Sequence, residues 1–95
     1  MNKYELAVVL KPDLDEETQS AEFEAIFSLI ARFDGSVEKT DNWGKRRLAY
    51  EIKKINEGFY SFITFSADGD VVKEIEQRLN IMENVLRHLV IRMEG

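Results

Sequence analysis

The chain predicts an α+β sandwich: one four-stranded antiparallel sheet with two helices on one face. Three observations predict it. Hydrophobic spacing alternates between period two and period 3.6, in the order strand, helix, strand, strand, helix, strand (β-α-β-β-α-β). The first and third strand segments are apolar on both faces, as central strands are. The second is long, polar and charged, as a guarded edge is. Two interleaved β-α-β halves with right-handed crossovers then place strands one and three in the middle, with the second and last strands outside.

Tyr4 to Leu10 forms the first strand, and Lys11-Pro12-Asp13 ends it because proline cannot donate to the ladder. Asp15 to Arg32 reads as a helix. Asp15 serves as N-cap, and Glu16 and Glu17 place negative charge in the first turn, where the helix dipole favours it. Phe23, Ile26, Phe27, Ile30 and Phe33 fall on one side at helical spacing, and Gly35 supplies the stop. Ser36 to Ile52 reads as a long strand in which Gly44 marks a bulge or a close backbone approach. Asn56-Glu57-Gly58 reads as a turn, and Phe59 to Phe65 as the next strand. Asp68 caps a second helix with Val71, Val72, Ile75 and Leu79 facing inward, and Val85 to Arg92 is the last strand.

Ninety-five residues predict a single domain, 1–95. The absence of cysteine removes disulfide and thiolate chemistry and fits a reducing compartment. The apolar run Leu6 to Leu10 is too short for a signal peptide, and no run approaches the roughly twenty residues of a membrane helix. The expected location is the cytoplasm.

Charge is unevenly placed. From Lys39 to Lys54 six Lys or Arg face two carboxylates, a balance of +4; the other seven basic and sixteen acidic residues carry −9, giving the net −5. Screening limits interactions to about 10 Å at ordinary salt, so a local positive segment can capture a polyanion despite an acidic whole. The plainer reading is a solvated edge strand kept from unwanted pairing by its charge.

With helices on one face, the other face should expose Tyr60, Phe62, Val9 and Tyr4, an apolar patch suited to a partner. RNA-recognition motifs share this element order, but here Glu57 stands where a basic residue belongs and Leu6-Ala7-Val8-Val9 offers no aromatic for a base. A protein partner fits that face better than stacked bases.

The sequence offers little for catalysis. His88 is the only histidine, so it reads as a strand residue satisfied by a neighbour. Asp13, Asp15, Glu16, Glu17, Asp68 and Asp70 read as capping groups, and the glycines are too scattered for a phosphate-cradling loop. An acylphosphatase-like enzyme would carry an arginine-bearing loop after the first strand, where this chain has the acidic Lys11-Pro12-Asp13-Leu14-Asp15. On the residues alone the chain is expected not to be an enzyme and to hold no histidine-based metal site.

Gly44, Arg46-Arg47-Leu48-Ala49-Tyr50 and Ile52-Lys53 together resemble the ten-position signature of the bacterial small-subunit ribosomal protein S6 family. Tyr4-Glu5 followed by aliphatics and Lys11-Pro12 resembles the family's start, and Val85-Leu86-Arg87-His88-Leu89-Val90-Ile91 its last strand. The resemblance implies a ferredoxin-like domain that needs no cofactor. It also implies a structural protein that binds the central domain of small-subunit ribosomal RNA during assembly, as a heterodimer with ribosomal protein S18. It implies phosphate contacts at Lys45, Arg46, Arg47 and Arg87, which Lys53 and Lys54 of the same basic stretch extend, and it adds Ala49 and Tyr50 to Tyr4, Tyr60 and Phe62 of the open face as the partner surface. Some members carry a C-terminal tail; the ending Met93-Glu94-Gly95 implies that tail contacts are missing here. The rival reading is a small ferredoxin-like regulatory or ligand-binding domain that homodimerises through its sheet, which calls for a concave apolar pocket.

Overall fold

A computed structural model describes residues 1–93. The elements are β1 (Asn2–Leu10), α1 (Glu16–Arg32), β2 (Ser36–Ile52), β3 (Ile55–Ala67), α2 (Gly69–Asn80) and β4 (Val85–Met93). The strands form one antiparallel sheet in the order β2-β3-β1-β4, so the doubly apolar strands are central and the charged strand is an edge. Glu94 and Gly95, the end of the expected 1–95 span, lie outside the described residues.

Strand alternation builds the core. Tyr4, Leu6, Val8 and Leu10 of β1 pair with Phe65, Ile63, Ser61 and Phe59 of β3, all on the helix side. Ile26, Leu29 and Ile30 of α1 and Ile75 and Leu79 of α2 close over them, with Phe23, Phe27 and Phe33 packed at the margin. Each fully buried Leu or Ile contributes on the order of 1.5–3 kcal/mol. Ser61, a polar residue buried in this layer, donates to Asn42 Oδ1 at 3.0 Å, which removes the cost of leaving its hydroxyl unpaired.

Asp15 caps α1 by accepting from the Thr18 backbone N–H at 2.8 Å. Hydrogen bonding by the Thr18 side chain first, and its backbone N–H second, holds the Asp15 carboxyl below the usual carboxylate range. At the other end Asp34, rather than Gly35, takes the left-handed turn (φ 62). Gly35 is required for space: a Cβ there would stand 2.7 Å from Ile30 Cγ2.

Three expectations are corrected. Tyr4 is not on the open face: it is 7% exposed and its ring stacks on Phe65 at 5.5 Å under the helices. The reason is parity, since Tyr4 shares its side of β1 with Leu6 and Val8. Val9 does face the open side but is 5% exposed, so it floors that face without offering surface. Asn56-Glu57-Gly58 is not the turn. The chain reverses at Lys53-Lys54, with Ile52 paired to Ile55 and both lysines in the left-handed region (φ 49 and 66). Gly58 serves packing instead: a Cβ there would lie 2.4 Å from Val9 Cγ1 and 2.9 Å from the Leu10 carbonyl oxygen.

Candidate nucleic-acid interface

The site grows from three irregularities in β2. The register with β3 shifts between Val37 and Lys39, between Asn42 and Gly44, and between Arg47 and Ile52. The first makes Glu38 surplus, and its carboxylate takes the Ser66 hydroxyl and the Lys3 ammonium, the latter at 3.2 Å. The Ser66 hydrogen bond, then Lys3, holds the Glu38 carboxyl below its ordinary range. The second makes Trp43 surplus, and Gly44 absorbs the positive φ of 75 that the bulge needs. Trp43 meets Phe62 edge-on at 4.8 Å, and its indole N–H donates to Asp41 Oδ2 at 3.1 Å.

The third irregularity is the largest. β2 runs Leu48 to Glu51 where β3 has only Asn56. Such a bulge bends the strand and re-aims its side chains. From Lys45 to Glu57 the hairpin is therefore an arm, paired with β3 as far as Arg47 and departing from the regular ladder beyond it.

The structure places five of the six predicted phosphate-binding residues on this arm, all exposed. Lys45-Arg46-Arg47 is not one patch, because alternation divides it. Arg46 pairs opposite Gly58 on the open side, its Nε donating to the Trp43 carbonyl at 3.2 Å and its guanidinium 5.7 Å from the Trp43 ring. Lys45 and Arg47 pair opposite Phe59 and Glu57 on the other side, with Lys45 Nζ 5.4 Å from the Phe59 ring. Lys53 and Lys54 form the tip. The sixth, Arg87, lies on β4 and reaches the arm by donating to the Tyr50 hydroxyl at 2.8 Å. Among the described residues, none of these six cations forms an ion pair with a carboxylate.

Of the predicted partner residues, Tyr60 and Phe62 are half-buried on the open face, where Ala7, Val9, Arg87 and Leu89 join them around a shallow depression. Ala49 is exposed on the arm, and Tyr50 is tied to Arg87. The sequence reading missed Trp43, Leu89 and Ile91, which stand about half exposed on or beside the same face. For Leu89 and Ile91 the signal was present: they share parity with Arg87 on the last strand. His88 lies on the helix side with its Nε2 2.7 Å from Asn80 Oδ1. No cluster of three or more His, Cys, Asp or Glu able to hold a metal occurs among the described residues.

Residues 3–92 match the model of the family described as Ribosomal protein S6. The chain belongs to the ribosomal protein S6 family. It is 49% identical to small ribosomal subunit protein bS6 of Alkaliphilus oremlandii, over 99% of both chains. It is 50% identical to bS6 of Streptomyces griseus, over 99% of this chain and 98% of that one. The crystal structure of 30S ribosomal protein S6 from Thermotoga maritima superposes with a TM-score of 0.91 at 31% identity, covering 97% of this chain and 87% of that one. S6 proteins are structural components of the small ribosomal subunit and not enzymes, so the chain belongs to the ribosome in the cytoplasm. No helix among the described residues is long and apolar enough to cross a membrane.

Proposed function

We propose that this S6 protein binds the central domain of small-subunit ribosomal RNA during assembly, as a heterodimer with ribosomal protein S18. The observation that carries the reading is the arm: exposed cations, unpaired with carboxylates among the described residues, gathered on one projection of an acidic protein. Arginine and lysine so placed take phosphate oxygens, and arginine does so through paired donors. Lys45, Arg46, Arg47, Lys53 and Lys54 contact the RNA backbone. Tyr60 and Phe62, with Ala49 on the arm, receive the protein partner, and Trp43, Leu89 and Ile91 extend that apolar surface.

The net charge of −5 opposes RNA binding by the chain alone, so a basic partner supplies the remaining positive surface and binding is cooperative. The test is a titration against a central-domain RNA fragment, with and without S18, at several salt concentrations. The expected result is binding that S18 strengthens and salt weakens. Nanomolar binding by the isolated chain at physiological salt overturns the cooperative reading. Absence of binding in both arms of the titration overturns the RNA reading. It leaves the homodimerising ligand domain, with the shallow depression over Ala7 and Phe62 as its candidate pocket.

A further inference from the structure

An arm that leaves the regular ladder after Arg47 needs a second attachment. Tyr50 and Arg87 make one. Tyr50 sits within the four-residue bulge; Arg87 sits on β4, the opposite edge strand. The Arg87 guanidinium donates to the Tyr50 hydroxyl at 2.8 Å and lies 5.4 Å from the Tyr50 ring centre. One side chain thus holds the other by a hydrogen bond and a cation–π contact at once. Burial follows the same line. Leu48 is 9% exposed, while Lys45, Arg46, Arg47, Ala49, Tyr50 and Glu51 are all exposed. Leu48 is buried outside the helix-side cluster, and so is Val9, the residue paired with Arg87. The arm is therefore fixed at a place the helices do not reach.

We propose that Tyr50 and Arg87 are positioning residues that latch the basic arm to β4, and that Arg87 serves RNA binding through Tyr50 rather than by touching phosphate. The inference rests on the RNA-binding reading and deepens it. A latched arm presents its cations already ordered, so the ordering cost of binding is reduced. An unlatched arm keeps the same cations but must be fixed at the moment of binding.

Four variants test it: Tyr50→Phe, Tyr50→Ala, Arg87→Ala and the double alanine. The first readout is amide hydrogen exchange in the free protein. Tyr50→Ala and Arg87→Ala should speed exchange across residues 46–57 by about tenfold and leave the amides of Leu6, Ile63 and Ile75 unchanged, whereas a general loss of stability would speed all of them. Tyr50→Phe, which keeps the ring over the guanidinium, should fall between. The second readout is affinity for the central-domain RNA in the presence of S18. Each alanine variant should bind about three- to tenfold more weakly, the double variant no worse than either single one, and the salt slope should stay that of the parent. A salt slope lowered by about 0.7–0.9 in Arg87→Ala alone puts Arg87 on a phosphate and overturns the proposal. Unchanged exchange in the arm overturns it as well. Faster arm exchange upholds the latch even where the parent protein fails to bind RNA, a failure that removes the RNA reading instead.

Discussion

At the scale of single residues, backbone constraints set what the interface tolerates. Gly58 lies where β3 approaches β1, and a Cβ would collide with Val9 and the Leu10 carbonyl. Gly58→Ala should lower the unfolding free energy by about 1–3 kcal/mol in urea titration, the range for forced overpacking. Lys53 and Lys54 both occupy the left-handed region, which costs on the order of 1 kcal/mol or more for a residue with a side chain. Replacing them with Asn-Gly should raise stability by about 1–2 kcal/mol and weaken RNA binding, because two tip charges go with the strain. A variant that gains stability and keeps full RNA affinity would show that the tip lysines do not touch RNA. Asp15, like Glu38, supplies an acid-sensitive part. Its folded pKa lies below the unfolded value, so its contribution is present above the unfolded value near pH 4 and is lost as pH falls through the lower folded value. Asp15→Asn should therefore flatten the decline of melting temperature below about pH 4.

At the scale of elements, regular pieces are legible in the chain and irregular ones are not. The helix stripes around Ile26 and Ile75 and the double-sided apolarity of β1 and β3 place the core and the strand order correctly. The faces of β2 are not legible, because each single-residue bulge inverts parity and the inserted residues, Glu38 and Trp43, carry no mark of being surplus. Gly44 does mark one bulge. The arm's turn is hidden because glycine at Gly58 looks like a turn residue whether it serves φ or space, while the true turn uses two lysines. Tyr4 misleads for a simpler reason: on a strand apolar on both sides, composition does not say which side the helices cover. Membership of the S6 family is legible, since the signature positions from Gly44 to Lys53 are contiguous. Which arm cations point together is not, and neither is the pairing of Tyr50 with Arg87 across 37 positions. The apolar edge of β4 yields a further prediction. Ile91→Lys changes an exposed residue and should alter stability by no more than about 0.5 kcal/mol. It should nevertheless weaken association with S18 by about tenfold or more, measured by isothermal titration, if the open face receives that partner.

At the scale of the whole molecule, the fold separates two jobs. Helices and the helix side of the sheet supply stability, and the helices turn Glu16, Glu17, Glu24, Asp70 and Glu74 outward to solvent. The open face and the arm stay uncovered by the helices, with exposed apolar positions on the sheet and exposed cations on the arm. A protein of net charge −5 thus carries exposed cations on one hairpin, and its acidic helices lie on the other face of the sheet. The central proposition is that the arm's cations neutralise RNA phosphates. It is tested most directly by the salt dependence of RNA affinity for the parent protein and for Arg46→Glu with Arg47→Glu, both measured with S18 present. A shallower log–log slope for the variant, reduced by about 0.7–0.9 for each phosphate no longer neutralised, is the predicted result. Equal slopes and equal affinities would contradict it, and would return the basic segment to an edge strand guarded by its charge.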